Sequence, residues 1–597
     1  MSNKKRLINY TNKDFNSIKS DLEEHARRYY PDSYRDFSEN SFGSFMLDAV
    51  SHVGDMLSFY LDYQVNESFL ETAVEYDNVR KLSRNQGYSF AGRPPAYGEA
   101  AFYIIIPANT SGLGPINSLI PILQQGSEFT SDSGVTFVLI EDVDFANPRN
   151  EIVASRFNEA TGKPSSYAIR AFGRVRSSVL FRTTVDIGEF TRFRRVRIGA
   201  SSINEIKSVI DSEGHEYYQV EQLSQDVVYI NTTNPTAASD GVPQIIKPKI
   251  VPRRFIVEQD ADGTYLQFGY GSDEELATTD ITDPSQVALK MSGRNYITDN
   301  AFDPTKLLDT NTLGVAPANT TLTVLFFENS SDTINVAAGS LNTVSYNRMT
   351  FPAENSTTAN LQTSVRSTLE VSNLRAIAGD TSLPSSEEVR YRSYGMQAAQ
   401  MRAVTRNDYE AMIYMMPSNF GSIKRASIVN DPSSSNRRLS LYLISEDENK
   451  HLTQSSQTLK ENVKTWLNKN KMLNDNIDIY DAVIINVGFS YEIVVHPTRD
   501  KIEVLNEVND KLREELADKM YIGEPFYITK IYNIINKVDG VVDTTKVIAR
   551  LTEGENYNSS SVTIHQVKSK DGTFLRAPRN SIYEIKNFNS DVIGRAI

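Results

Sequence analysis

The chain has 597 residues, of which 40% are hydrophobic and 23% are charged, and it contains no cysteine. These proportions are those of ordinary globular proteins, which excludes wholesale disorder, and the length predicts several domains rather than one core. The absence of cysteine excludes disulfide bonds, thiolate metal sites and a catalytic thiol. The formal net charge of −13 argues against a surface that binds nucleic acid throughout, so we expect no nucleic acid partner.

Neither a secretory signal nor a membrane span is predicted. Residues 1–15 are polar, and no run approaches the roughly 18 apolar residues that a membrane span requires. We therefore expect a soluble protein that is made in a cytoplasm and has no membrane partner.

Residues 1–92 are predicted to be helical. Thr11 and Asp14 have the spacing of a capping box at the start of a first helix. A second helix starts near Asn40. A third runs from Phe69 to Gly87, a suitable residue for a left-handed C-cap. The second helix carries a broad apolar stripe that three helices alone would bury poorly, so we expect it to form a partner interface. The stripe includes Phe42, Phe45, Met46, Val53, Met56, Leu57 and Tyr60.

Residues 93–375 are predicted to be rich in β-strands, because short apolar runs alternate with Gly, Pro, Asn and Asp. Asp262 and Gly263 separate two such runs, which is a strong signal for a β-hairpin. The predicted strands include residues 101–106, 135–140, 179–185, 254–257, 265–268 and 322–327.

One stretch of this central region is strongly basic. Arg174 and Arg176, like Arg192 and Arg194, have the period of two that places both members of a pair on one face of a strand. Three interpretations are open: a solvated sheet face, a contact with an acidic neighbouring subunit, or a groove for single-stranded nucleic acid. We carry these four arginines as candidate partner-interface residues.

Residues 376–597 alternate between predicted strands and helices, with a further division near residue 480. Such alternation indicates small α+β units. The predicted fold class is therefore multidomain α+β, with a helical amino-terminal region, a β-rich centre and carboxy-terminal α+β units. The predicted strands are 439–444, 483–495 and 541–549, and the predicted helices are 457–473, 502–520 and 529–538.

Two helix starts lie in tandem near the beginning of this last region. Ser385 with Glu388, and Thr405 with Asp408, each place a hydroxyl three residues before a carboxylate, which is the spacing of a capping box. Pro417 is predicted to close the second helix.

The second of these helix starts carries a recognisable motif. The string Arg402-Ala403-Val404-Thr405, followed by Asp408-Tyr409-Glu410, resembles the signature of the J-like baseplate proteins of contractile-tailed phages. Residues 40–45, 67–73 and 87–88 resemble the wedge-type members of that family, and residues 537–542 resemble its carboxy-terminal part. Residues 268–271, Phe-Gly-Tyr-Gly, resemble a Phe-Gly-Asp-Gly that follows a similar hairpin in the family. Tyr270 replaces the family's Asp, which puts any role of that carboxylate here in doubt.

The resemblance implies a structural subunit of a phage tail baseplate wedge, located in the virion and assembled in the host cytoplasm. In that family, copies associate in pairs, join neighbouring wedges into a ring around the central hub, and contact other wedge proteins, including the sheath-initiating component. The resemblance implies that rearrangement of the ring couples host contact to sheath contraction. It implies no cofactor and no enzymatic activity.

The residues themselves offer little catalytic chemistry. The six histidines are far apart and form no two-histidine zinc motif, and no phosphate-binding loop occurs. We therefore predict no catalytic, cofactor-binding or metal-binding residue. Two alternatives from other classes stay open: a tail glycan hydrolase, which needs only two suitably spaced carboxylates, and a receptor-binding tail protein, for which repetitive β sequence is typical.

Overall fold

The computed structural model describes residues 8–11, 13–30, 41–88, 94–109, 114–158, 162–199, 203–234, 241–242, 244–260, 263–272, 313–331, 333–352, 359–379, 384–430, 438–516, 520–554 and 557–597. The chain divides into two compact units, each assembled from separate stretches of sequence. The first unit comprises Met1–Phe90, Leu383–Met415 and Asn470–Met472, and the second comprises Ala91–Ser382, Met416–Lys469 and Leu473–Ile597.

Helices lie at the amino terminus and in the last third of the chain. The described α-helices are α1 (Phe15–Tyr29), α2 (Phe42–Glu67), α3 (Tyr76–Asn85), α4 (Ala359–Ser367), α5 (Ser386–Ala399), α6 (Arg406–Tyr414), α7 (Gln457–Asn470), α8 (Lys501–Glu515), α9 (Ile528–Ile535), α10 (Ile564–Val567) and α11 (Phe588–Asp591). Short 3₁₀ turns cover Asn117–Leu119 and Ser418–Phe420. No helix within the described ranges is both long and apolar enough to cross a membrane.

Strands dominate the centre of the chain. They are β1 (Tyr97–Pro107), β2 (Ile122–Leu123), β3 (Glu128–Ser131), β4 (Thr136–Leu139), β5 (Val143–Asp144), β6 (Glu151–Phe157), β7 (Pro164–Arg176), β8 (Ser178–Ile187), β9 (Arg195–Gly199), β10 (Ile203–Ile210), β11 (Glu216–Gln219), β12 (Val227–Thr233), β13 (Gln244–Ile250), β14 (Arg254–Asp260), β15 (Gly263–Phe268), β16 (Thr320–Asn329), β17 (Leu341–Tyr346), β18 (Met349–Thr350) and β19 (Glu370–Ser372).

The carboxy-terminal strands alternate with helices α7 to α11. They are β20 (Arg425–Asn430), β21 (Arg438–Glu446), β22 (Leu452–Thr453), β23 (Asn476–Asp481), β24 (Val483–Val495), β25 (Phe526–Tyr527), β26 (Val541–Leu551), β27 (Phe574–Leu575), β28 (Ser581–Glu584) and β29 (Val592–Ala596). With the helical start and the β-rich centre, this alternation confirms the predicted fold class.

Two seven-stranded sheets form the β-rich centre. One has the order β17-β3-β4-β7-β1-β19 with β6 also paired to β7, and the other has the order β8-β16-β10-β11-β14-β15-β9. The predicted hairpin is confirmed, because β14 and β15 pair antiparallel from Phe255 opposite Phe268 to Asp260 opposite Gly263. Each sheet buries one continuous apolar cluster, around Phe102 and Phe129 in the first and around Phe255 and Phe268 in the second.

The long strand β24 organises the carboxy-terminal end of the second unit. It pairs antiparallel with β26 and parallel with both β28 and β29. Helix α8 packs Val504, Val508 and Leu512 onto this sheet, at the spacing of four residues that places side chains on one face of a helix. All the buried residues of the resulting core come from the stretch of sequence that runs from Ile485 to Val592.

Several local predictions at the amino terminus need correction. The capping box of α1 joins Asp14 and Ser17, whereas the Thr11 amide and hydroxyl bond to Asp62 of α2. The third helix begins only at Tyr76, because α2 continues to Glu67 and turns fill residues 68–72. Gly87 does adopt the predicted left-handed conformation, with φ of 95°.

The tandem helix starts are only partly as predicted. Thr405 and Asp408 form the full reciprocal capping box. Ser385 caps α5 by accepting a hydrogen bond from the Glu388 amide, and the Glu388 carboxylate instead lies 3.6 Å from Arg392. Helix α6 ends at Tyr414, three residues before Pro417.

Candidate functional site

Helices α1 and α2 form an antiparallel pair in the first unit. The Thr11 amide donates to Asp62 Oδ1 at 2.9 Å, and Lys19 Nζ lies 2.7 Å from Asp48 Oδ1. Residue numbers therefore rise along α1 as they fall along α2. The polar contacts between the two helices fix the side of α2 that α1 covers.

The side of α2 that faces α1 consists of small and polar residues. Ser44 and Ser51 are buried, and a Cβ added to Gly54 would lie 3.2 Å from Ile18 Cδ1. Small residues allow two helix backbones to approach closely but bury little apolar surface. The large apolar side chains of α2 consequently lie on its uncovered side.

The uncovered side of α2 is almost entirely apolar. Phe42 is 78% exposed and Tyr60 is 57% exposed. We call the following set of exposed residues the α2 apolar face: Phe42, Phe45, Met46, Val50, Val53, Met56, Leu57, Phe59, Tyr60 and Leu61. It contains Phe42, Phe45, Met46, Met56 and Tyr60, the helical residues predicted as an interface. A helix of a globular protein normally buries its apolar stripe against the core, whereas α2 exposes this stripe to solvent.

The α2 apolar face has the spacing of a helix-packing seam. Apolar side chains recur at alternating intervals of four and three residues, which is the heptad pattern that packs against another helix. This series comprises Phe42, Met46, Ala49, Val53, Met56 and Tyr60. The apolar surface is wider than the strip that one packed helix would cover, because it also includes Phe45, Val50, Leu57 and Phe59.

Glu67 orders the turn that follows α2. Its Oε1 accepts from the Val74 amide at 2.7 Å, and its Oε2 accepts from Asn78 Nδ2 at 2.9 Å. Burial alone would raise the pKa of Glu67, but these hydrogen bonds, one from the Glu75 amide and the charge of Arg390 together lower that pKa below its ordinary value. Glu67 therefore acts as a buried carboxylate that holds the start of α3.

Arg390 of α5 joins the same turn to a distant part of the sequence. Its Nε donates to the Leu70 carbonyl at 2.7 Å, and its Nη2 donates to the Ala73 carbonyl. Its Nη1 also contacts the carboxylate of Glu387 at 3.0 Å. Around this guanidinium, a cluster of buried apolar residues comprises Leu70, Ala73, Val79, Tyr88 and Val389.

The family motif builds the turn between α5 and α6. Gln400 and Met401 both have positive φ, at 49° and 58°, and reverse the chain after α5. Ala403 is buried, and its amide donates to the Asn470 carbonyl at 2.9 Å. Arg402 is exposed and donates to the side chain of Gln400.

The second half of the motif starts and anchors α6. Asp408 Oδ2 accepts from the Thr405 amide at 2.8 Å and the Val404 amide at 3.2 Å. Tyr409 is buried, whereas Glu410 pairs with Arg406 at 3.3 Å. These motif residues form local contacts that set the course of the chain, and Val404 is the apolar member left exposed.

Arg174 and Arg176 lie on β7, in the first seven-stranded sheet. Arg174 pairs with Glu141 at 2.6 Å, and hydrogen bonding to this carboxylate raises the pKa of the guanidinium. Arg176 lies 3.3 Å from Glu205 and stacks 3.6 Å from the ring centre of Phe327. Both arginines therefore have partners within the chain.

Arg192 and Arg194 lie beside β9, in the other seven-stranded sheet. Arg192 stacks 4.2 Å from the ring centre of Tyr270, the residue that stands where the family has Asp. Arg194 donates to the Glu189 carbonyl and to Thr191 Oγ1. The four arginines are thus divided between two sheets. The prediction that Arg192 and Arg194 share one face of a strand is wrong, because β9 begins only at Arg195.

Among the described residues, no three or more His, Asp or Glu side chains form a group that could hold a metal ion. Two of the described histidines bond to nearby residues, His215 to Asp211 at 3.1 Å and His496 to Thr498 at 2.7 Å. The candidate functional site of the first unit is the α2 apolar face, whose large apolar side chains are exposed.

The comparisons with known proteins bear on this segment. Residues 14–85 match the family model described as the N-terminal domain of bacteriophage baseplate protein. The comparison with curated proteins found no match. The matched residues include the whole α2 apolar face, and the match supports the predicted location in a virion tail baseplate and a structural role.

Two solved structures were also found to be similar. One is the anti-feeding prophage (AFP) baseplate, at 10% identity and a TM-score of 0.25, covering 95% of this chain and 90% of that chain. The other is the type VI secretion system TssK-TssF-TssG baseplate subcomplex, at 7% identity and a TM-score of 0.24, covering 74% of this chain and 96% of that chain. TM-scores this low do not establish a common fold. The assignment of residues 14–85 to a baseplate amino-terminal domain therefore depends on the family model.

Proposed function

We propose that this chain is a structural subunit of a contractile phage tail baseplate wedge, which associates with other wedge subunits through its amino-terminal helices. The observation that carries the proposal is the α2 apolar face, because it lies entirely within the segment matching a baseplate domain. Its occupant is a helical segment of a second copy or of another wedge protein.

The exposed residues provide enough free energy for such an assembly. Fully burying a large apolar side chain contributes about 1.5–3 kcal/mol. Burying five of these residues would therefore contribute about 8–15 kcal/mol, which is comparable to the estimated cost of about 4–15 kcal/mol for immobilising a partner. Left in water, the same face would favour aggregation.

In the assembled baseplate, we propose that paired copies join neighbouring wedges into a ring around the central hub. Two different self-complementary contacts suffice to close such a ring. The ring would carry the sheath-initiating component and couple host contact to sheath contraction. This part of the proposal extends the family resemblance of the motif at residues 402–410, and it requires no cofactor.

The test replaces Met56 and Tyr60 together with aspartate. Two buried charges on the seam would oppose helix packing, because burying an unpaired carboxylate costs several kcal/mol. We expect the M56D/Y60D chain to remain folded by circular dichroism but to lose co-purification with wedge proteins. The matched control, N16D/S20D, changes two exposed residues of α1 that have the same spacing of four and lie away from Ile18, the residue next to Gly54 of α2, and it should retain co-purification.

Two results would contradict the proposal. The first is co-purification of the M56D/Y60D chain at the level of the control. The second is a particle preparation, from phage lacking this gene, in which electron microscopy shows intact tails with complete baseplates.

A further inference from the structure

The second seven-stranded sheet of the centre is built from one uninterrupted stretch of sequence. Its strands run from β8, which begins at Ser178, to β16, which ends at Asn329. The first sheet takes its strands from both sides of that stretch, with β1, β3, β4, β6 and β7 before it and β17 and β19 after it. Residues 178–329, which we call the inserted domain, are therefore an insertion between β7 and β17.

The chain enters and leaves the inserted domain at one place, which we call the crossing. Ser178 and Asn329 are opposite each other at the end of the ladder between β8 and β16. Ser177 alone separates β7 from β8, and Ser330 follows β16 directly. Hinges consist of a few residues at the ends of strands or helices, often small ones, that absorb the change in backbone angles. The crossing has this composition and this position.

The two seven-stranded sheets have separate apolar cores. The cluster of the first sheet, around Phe102 and Phe129, takes its buried residues from outside residues 178–329. The cluster of the second sheet, around Phe255 and Phe268, takes its buried residues from inside that range. Parts of a chain that have separate cores and meet through polar contacts are expected to move relative to each other. The inserted domain therefore has the core of an independent domain.

Two polar contacts close to the crossing, which we call the latch, hold the inserted domain in place. Ser418 Oγ donates to the Asn204 carbonyl at 2.6 Å, and Arg176 Nη1 donates to Glu205 Oε2 at 3.3 Å. Both acceptors lie near the start of β10, and both donors belong to the rest of the second compact unit. Because water can replace a hydrogen bond that breaks at a surface, each such bond contributes little net stability. The latch can therefore open without unfolding either core.

Two buried polar groups at the crossing lack hydrogen-bond partners. Ser178 is fully buried, and its Oγ has no partner among the described residues. Arg176 Nε, on the other side of Ser177, is also buried without a partner in the described part of the chain. A buried polar group without a partner costs free energy that contact with water would recover. The observed arrangement therefore carries a cost that rotation about the crossing can relieve.

We propose that the inserted domain turns as a rigid body about the crossing. It moves between the closed arrangement held by the latch and an open arrangement in which the Ser178 hydroxyl contacts water. This motion is a property of the chain itself and goes beyond the proposed baseplate role, to which it contributes a moving part. Thr184 lies six positions along β8 from Ser178, at a distance of about 20 Å, so it moves much further than the crossing does.

Distances between pairs of spin labels on introduced cysteines measure this rotation, because the chain has no cysteine of its own. The pair T184C/E370C places labels at exposed positions of β8 and β19, one inside and one outside the inserted domain. The pair T184C/Q219C lies wholly inside that domain and is the internal reference. Double electron–electron resonance on the purified full chain should show two distances for T184C/E370C and one for T184C/Q219C.

Variants of the latch and of the crossing should act in opposite directions. S418A and E205A each remove one latch contact, and together they should raise the fraction of the second T184C/E370C distance several-fold. S178A removes the buried hydroxyl that lacks a partner, so it should lower that fraction below the wild-type value. The matched control, E221A, changes an exposed glutamate of the same domain and should leave the fraction unchanged.

Three results would overturn the hinge. The first is a single T184C/E370C distance that S418A/E205A leaves unchanged. The second is an equal effect of S418A/E205A and E221A, or an S178A chain that opens as far as the latch variant does. The third is a changed T184C/Q219C distance in the latch variant, which would mean that the inserted domain unfolds instead of turning. Because these measurements use the purified chain, the hinge and the baseplate assignment can each fail without the other.

Discussion

The guanidinium of Arg390 should hold the turn that follows α2 onto α5, and its removal offers a quantitative test. The R390M variant keeps an apolar side chain at the site but leaves the carbonyls of Leu70 and Ala73 without this donor. Hydrogen bonds from a charged donor contribute about 1.5–3 kcal/mol each, so two contribute about 3–6 kcal/mol. The contact with Glu387 is excluded from this sum because that carboxylate is 70% exposed.

Hydrogen exchange followed by mass spectrometry measures this loss of stability peptide by peptide. A decrease of about 3 kcal/mol in the free energy of local opening corresponds to exchange on the order of 100-fold faster, since about 1.4 kcal/mol is a factor of ten. We expect this acceleration in peptides covering α3 and α5. Peptides covering α8, which belongs to the other compact unit, provide an internal reference and should be unchanged.

The matched control is R402M. Arg402 is exposed and its guanidinium donates to the nearby side chain of Gln400. Its replacement should therefore change exchange in α3 and α5 by less than a factor of ten, which corresponds to about 1.4 kcal/mol. Unchanged exchange in R390M, or equal effects in R390M and R402M, would refute the conclusion that Arg390 joins α5 to the turn after α2. The R390K variant should be intermediate, because lysine retains a charge but lacks the planar fork that reaches two carbonyls.

Two further predictions concern pH and the carboxy-terminal unit. The lowered pKa of Glu67 means that its contribution to stability is full above the unfolded-state value near 4.5 and is lost as pH falls through the folded-state pKa. Urea unfolding should therefore show wild type more stable than E67Q at neutral pH and a smaller difference at about pH 3; a pH-independent difference would contradict this. Residues 416–597 should fold alone, because they contain all the strands from β20 to β29 with their partners and the two apolar clusters around Ile444 and Phe489, and should approach a dimer by light scattering at concentrations on the order of tens of micromolar. A folded fragment that stays monomeric at about 1 mM would remove this region from ring closure.

The sequence by itself determined the elements whose signals are local. The capping box of Thr405 with Asp408, the hairpin at Gly263 and the strand β24 were all predicted, the last with its observed bounds of Val483–Val495. Each signal depends on hydrogen bonding or alternation among neighbouring residues, so it can be read without knowing the rest of the fold. The breadth of the apolar stripe on α2 was likewise visible in the sequence.

Tertiary packing decided which distant segments meet. Arg390 bonds to the Leu70 carbonyl across 320 positions, and α5 and α6 belong to the same compact unit as the amino-terminal helices. The predicted boundary at 375/376 remains a prediction, and the fragment test starts at residue 416 because α5 and α6 belong to the first compact unit.

Packing also determined which side of each surface meets water. Competition from Asp62 draws Thr11 away from the predicted capping box, and the small residues of α2 face α1 while its large apolar residues remain exposed. Period and composition define an apolar stripe, but a residue's exposure depends on neighbours that are remote in sequence. Burial is a property of the whole folded chain, and this is why the sequence predicts the apolar stripe of α2 but only the three-dimensional structure shows which of its residues are exposed.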